Sequence, residues 1–185
     1  MFDELLRQPG VVETVELRSS FGFMAFHGGL EGGTEVIAAA AAEGAAASLY
    51  AVGQPPDLSW HVPSSRVSST HSERLARFFD HVDVVVAVHG YGRVGRANDL
   101  LLGGRNRLLA AELARRLRAT AAGFAVIDDL DDIPVELRGL HSANPVNQAA
   151  RPGSRSSCRL SPAGHRRIPA SEAGGAGRRR ASWTV

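Results

Sequence analysis

Two short apolar runs in this chain break off in the same way. Phe21–Phe26 (FGFMAF) stops at His27, Gly28 and Gly29, and Val82–Val88 (VDVVVAV) stops at His89 and Gly90. The second run holds five valines and an alanine around Asp83. So continuous an apolar stretch suits a strand covered on both faces, so layers must pack over it. Glycine permits positive φ and close backbone approach, so each run ends in a sharp turn that throws an imidazole outward. Glu31 follows His27 by four positions, and Glu35 follows Glu31 by four more. Histidine and carboxylate together form a zinc ligand set. The two His-Gly ends are therefore read as two halves of one metal site.

The rest of the chain supplies what such strands need. Asp3 to Gln8 reads as a short helix closed by Pro9 and Gly10, and Val11 to Arg18 as a half-buried or edge strand whose apolar side is broken by Glu13. Thr34 is placed to cap an alanine-rich helix from Glu35 to Ala46. Ser48 to Val52 is a short strand, and Thr70 is placed to cap a helix over His71 to His81 with Leu75, Phe78 and Phe79 on one face. Asp99 to Leu102 reads as a strand, Asn106 to Ala119 as an amphipathic helix, Ala122 to Ile127 as a strand and Ile133 to Leu140 as a helical turn. Alternating strands and helices predict a single α/β domain with a mostly parallel or mixed central sheet flanked by helices. Sites in such sheets lie beyond the carboxyl ends of the strands. His27, His89 and the Gly103-Gly104-Arg105 segment all fall at strand ends, so they are expected to converge.

Charge divides the chain. All 21 basic residues are arginine. Residues 149–185 hold eight arginines and one acid, a net of +7, which leaves −5 for residues 1–148 out of the chain's +2. Nucleic-acid binding would rest on the tail alone and is not expected. The single cysteine, Cys158, excludes a disulfide framework and a multi-cysteine zinc site. No run approaches the roughly 18 apolar residues of a membrane span. The start, MFDELLRQ, lacks the basic and apolar regions of a signal peptide, so a cytoplasmic location is expected.

The blocks AFHGGLEGGTEVIA (25–38), SLYAV (48–52), HVPSSRVSSTHSERL (61–75), VVVAVHGYG (84–92), LLLGGRN (100–106) and LRGLHSANPVN (137–147) resemble, in this order, the poly-γ-glutamate hydrolase family, whose members are also labelled phage-related replication proteins. The resemblance covers roughly residues 18–147 and implies a zinc-carboxypeptidase-like α/β fold. It also implies a zinc ion held by His27, Glu31 and His89, and cleavage of γ-glutamyl amide bonds in a polyanionic substrate. A polyanion needs cationic anchors. Arg105 is the leading candidate, because guanidinium binds carboxylates bidentately; Asn106 and Tyr91 are placed to assist. Arg93 and Arg96 are placed to widen a basic mouth. His61 and His71 are read as structural, and Asn144 and Asn147 as turn-stabilising residues around Pro145.

The family resemblance also implies a general base, a glutamate in a Q-L-E-L segment after NPVN. Here Asn147 is followed by QAARPGSRSSCRLSPAG, without that segment. The composition of residues 149–185 suits disorder, or the product of a GC-rich gene read out of frame. Residues 153–159 can be back-translated and frame-shifted to V-P-L-E-L-S. The chain is accordingly expected to comprise a zinc amidohydrolase-like domain, 1–148, and a disordered or frameshifted tail that costs it the catalytic base and a C-terminal core strand. The expected function is zinc-dependent γ-glutamyl amide hydrolysis, impaired in this chain, and the alternative is a non-catalytic metal- and anion-binding module.

Overall fold

Short, nearly continuous apolar runs form the central strands, and longer alanine-rich or amphipathic segments form the helices around them. The computed structural model describes residues 1–92, 96, 98–148 and 182–184. In chain order the elements are α1 (Phe2–Leu6), β1 (Val12–Glu16), β2 (Phe21–Gly28), α2 (Thr34–Gly44), β3 (Ser48–Gly53), α3 (Glu73–His81), β4 (Val84–His89), β5 (Asp99–Gly103), α4 (Arg107–Thr120), β6 (Ala125–Ile127) and β7 (Ser182–Thr184). Short 3-10 turns at Ser64–Arg66, Ser69–His71, Val135–Leu137 and Pro145–Asn147 connect them. The result is a single α/β domain built on a mixed sheet of order β1-β3-β2-β4-β7-β5-β6.

The strand faces explain the layers. In a strand, alternate residues point to opposite faces. Met24 and Phe26 of β2, Tyr50 and Val52 of β3, and Val85 and Ala87 of β4 join Phe2, Leu5, Leu75 and Phe78 from α1 and α3 in one buried cluster. Their neighbours Ala25, Leu49, Ala51 and Val88 pack beneath Ala38 and Ala42 of α2. Val86 and Leu102 pack beneath Ala110 and Ala114 of α4. Both faces of the β2–β4 centre are thus covered. Where α3 crosses β2 the fit is close: a Cβ on Gly22 would lie 2.6 Å from the Phe78 ring.

Two expected helix caps are corrected here. Gly33, at φ +89°, precedes α2 in the capping position, and Thr34 is the first helical residue. Ser72 rather than Thr70 caps α3, its hydroxyl accepting from the N–H groups of Arg74 and Leu75. The reason is a separate 3-10 turn, Ser69–His71, that ends before the helix begins. Glu13, the acid that interrupts the apolar side of β1, is a tether: its Oε1 accepts the Tyr50 hydroxyl at 2.7 Å and also the Ser72 hydroxyl.

Strand direction carries the largest surprise. β2 is parallel to β3 and β4. β7 is antiparallel to β4, and β5 is parallel to β7. β5 and β6 therefore run opposite to β4. The expected loss of a C-terminal core strand is also corrected, because three residues of the tail, Ser182–Thr184, fill the position between β4 and β5. The remainder of the expected disordered tail, residues 149–181 and 185, lies outside the described residues.

Candidate metal centre

The carboxyl ends of β2 and β4 lie side by side, because the strands are parallel and in register from Phe21–Val84 to Met24–Ala87. This brings the two His-Gly ends together. Beyond β2 the chain makes one helical turn, closed by the Glu31 N–H donating to the His27 carbonyl at 2.8 Å. Residues four apart on such a turn share a side. The spacing of His27 and Glu31 thus becomes a contact, with Nδ1 of His27 2.9 Å from Oε1 of Glu31. Gly29 makes the turn possible. Its φ is +80°, and a Cβ there would lie 2.1 Å from the Gln54 carbonyl oxygen.

From β4, His89 completes the group: its Nδ1 lies 3.4 Å from Oε2 of Glu31. The same oxygen accepts the Gly90 N–H at 3.0 Å. His27 is 2% exposed, and Phe26 packs edge-on against both imidazoles. Burial pushes the Glu31 carboxyl up, but the hydrogen bonds and charges of His27 and His89 outweigh it and hold its pKa down to about 2.

One donor atom each from His27, Glu31 and His89 lies within 4.8 Å of the others. With bonds of about 2.0–2.2 Å to a tetrahedral ion, neighbouring donors sit roughly 3.4 Å apart. The hydrogen bonding of His27 tests the fit further. Its Nε2 lies 2.7 Å from the Val62 carbonyl oxygen while its Nδ1 faces the Glu31 carboxylate. A neutral imidazole has one N–H and cannot serve two acceptors. Either a second ring proton or a cation between Nδ1 and Glu31 removes the conflict; the cation leaves Nε2–H on a backbone carbonyl, the arrangement that orients metal-bound histidines. The residues fit a divalent ion.

The three donors open onto a cavity of about 500 Å³. Tyr91 lines it, with its hydroxyl held between the carbonyls of Arg96 and Asp99. Arg105 and Asn106 do not. They line a separate cavity of about 220 Å³ with Asp83 and Val84, at the other end of β4. The expected convergence of GGRN with the histidines fails because β5 is reversed, so its carboxyl end points away from theirs. Arg105 Nε donates to the Leu140 carbonyl at 3.1 Å, and the Asn106 carboxamide oxygen caps α4 on the Leu109 N–H. Arg96 donates to the Asp132 carbonyl and pairs with Asp99; Arg93 lies outside the described residues.

His61, read from the sequence as structural, lines the cavity with its ring centroid 4.9 Å from that of His27. Burial, and then the charge of His27, lower its pKa below the ordinary value. Its signal was present in the HVPSS block. His71, by contrast, is structural: its Nδ1 accepts the Ser68 N–H.

The poly-gamma-glutamate hydrolase family model matches residues 3–156. The chain belongs to that family. No curated protein and no solved structure matches it significantly. For a poly-gamma-glutamate hydrolase family member, the pairing of β2 and β4 accounts for why widely separated blocks of the sequence meet in space.

Proposed function

We propose that this chain is a zinc-dependent hydrolase of γ-glutamyl amide bonds, with the ion held by His27, Glu31 and His89. The observation that carries the reading is the approach of three donor atoms, from strand ends about 60 residues apart in sequence, to within 4.8 Å of one another. Two histidines and one glutamate form a ligand set that leaves zinc an open position. When bound, the ion would supply a Lewis acid for the scissile carbonyl and lower the pKa of a water. The chain's own residues do the positioning. The Val62 carbonyl holds Nε2–H of His27, so Nδ1 presents its lone pair to the site. The Gly90 N–H fixes one oxygen of Glu31. Phe26, packed against both imidazoles, covers one side of the group.

Hydrolysis also needs a base to take the proton of water and deliver it to the leaving amine. Glu31 is engaged by both histidines. Among the described residues, Glu136 is the other carboxylate of the cavity lining, on an exposed turn. The expected Q-L-E-L glutamate is missing from the sequence after Asn147. That absence favours slow turnover, and it also favours the second reading, a module that binds metal and anion without chemistry.

Zinc analysis and a polymer-length assay separate these. Protein purified without chelator should carry about one zinc per chain, lost in His27→Ala and His89→Ala. Added zinc should allow measurable shortening of poly-γ-glutamate, and a frame-restored chain should be faster. Metal-free wild-type protein that cannot be loaded with zinc would overturn the proposal. Zinc binding without any cleavage in either chain would leave the binding module.

A further inference from the structure

The cavity that holds the metal group poses a problem for a polyanionic substrate: among its described lining residues there is no arginine or lysine. Glu31 and Glu136 are its carboxylates, and the rest of its polar wall carries hydroxyl, imidazole and amide groups. Ser64 and Ser65 line it from one 3-10 turn, and His141 and Asn144 line it from the segment before Pro145.

Asn144 is the unusual member. It is buried, at 7% exposure, yet it belongs to the cavity lining. Its Oδ1 accepts the Val146 N–H at 3.3 Å, which assigns the oxygen and leaves the amide nitrogen as the free end. That nitrogen makes no hydrogen bond to a described residue and, unlike the rest of the side chain, keeps access to solvent, so its N–H groups are available to a ligand in the cavity. The donor pair is held in one orientation, because the oxygen is engaged by the turn. His141 stands nearby with a complementary assignment: its Nδ1 accepts the Ala143 N–H at 3.1 Å, so in the neutral ring the proton sits on Nε2.

We propose that the Asn144 carboxamide, assisted by Nε2–H of His141, binds a free α-carboxylate of the γ-linked glutamyl chain and so positions the scissile amide at the metal group. The proposal rests on the γ-glutamyl reading above. In a γ-linked polymer every residue keeps a pendant α-carboxylate, since the side-chain carboxyl is taken up by the amide bond. A neutral donor pair suits this ligand. It binds a carboxylate through charge-assisted hydrogen bonds without placing a cation beside the metal ligands.

The test uses the full-length chain and a γ-linked glutamate pentamer, with affinity measured calorimetrically in the metal-free protein so that turnover does not enter. Asn144→Asp keeps the oxygen that caps Val146 but removes the donors and adds a negative charge. Asn144→Ser keeps a short acceptor for the turn and removes the donors without adding charge. Loss of hydrogen bonds to a charged group is expected to weaken binding by about tenfold to a hundredfold in Asn144→Ser, and by more in Asn144→Asp. Zinc content should stay at the wild-type level in both. The α-methyl ester of the pentamer should bind weakly to wild type and lose little further in Asn144→Ser. Wild-type protein that binds the pentamer while both variants bind it equally well would overturn the Asn144 assignment alone. Equal losses for acid and ester in Asn144→Ser would overturn it too, since the residue would then be acting on the pocket's shape. Wild-type protein that does not bind the pentamer would overturn the γ-glutamyl reading along with it.

Discussion

Glu31 serves two imidazoles at once, and the consequence is asymmetric. Replacing it by Gln keeps the volume but removes the charge and one acceptor oxygen. Outer partners of metal ligands are worth roughly tenfold to a hundredfold in affinity, so a ligand itself should be worth more. Glu31→Gln is expected to weaken zinc binding by at least about a hundredfold in a competition titration against a chelator of known affinity; an unchanged affinity would remove Glu31 from the centre. Tyr50 makes a different case. It is fully buried, and burial followed by its hydrogen bond to Glu13 raises the pKa of its phenol above the ordinary 10.0. A raised folded-state value means that the stabilisation is complete below about pH 10. It declines as pH climbs past that point, where the unfolded chain releases the proton and the folded chain retains it. The chain has no lysine and only two tyrosines, so few groups compete in this window. Tyr50→Phe should cost about 1–3 kcal/mol at neutral pH by leaving Glu13 short of a donor, and should flatten the fall in unfolding free energy above pH 10. A mutant as alkali-sensitive as wild type would show that another group carries that slope. The approach of His27 and Glu31 was legible in the sequence because a four-residue step on a turn is a local geometric fact. The placement of Arg105 was not. Its side of the sheet depends on the direction of β5, which no local pattern encodes.

At the scale of elements, the junctions matter more than the interiors. Helices and strands were readable from alanine content, from the amphipathic face of α3 and from the valine run of β4. Their ends were less so, because Thr70 and Ser72 are equally good caps by type. Only the packing of α3 against β1 selects Ser72, whose hydroxyl both caps the helix and meets Glu13. Ser72→Ala is therefore expected to cost about 1–2 kcal/mol in chemical denaturation, more than Thr70→Ala. A reversed order would return the cap to Thr70. Gly29 concentrates the same lesson in the turn after β2. A side chain there is opposed both by the positive φ and by the Gln54 backbone, so Gly29→Ala must displace the segment that carries Glu31. The expected result is loss of zinc binding in a protein that still folds, read by metal analysis beside circular dichroism. Retention of full zinc content would mean that the turn adapts without moving its ligand.

On the scale of the whole molecule, the sheet is two blocks joined by one short strand. β1, β3, β2 and β4 form one block, β5 and β6 the other, and β7 hydrogen-bonds to both. The residues that do this, 182–184, lie 34 residues beyond the last described residue before them. No periodicity could have announced them, since three residues are too few to carry one and the surrounding composition suits a chain without a core. Their position also bears on the metal group, because Ser182 pairs with His89 in the backbone ladder. Substituting Trp183 by Pro removes one backbone donor from the middle of β7 and is poorly tolerated inside a sheet. If β7 is what couples the blocks, Trp183→Pro should speed amide exchange through β5 and β6 while leaving β2 and β3 protected. It should also lower zinc affinity by loosening the end of β4, although no ligand has been changed. Unaltered exchange in β5 and β6 would mean that the packing of α4 over Val86 and Leu102 holds the blocks together without the ladder. The arrangement of strands would then be a consequence of that helix rather than of the chain's last residues.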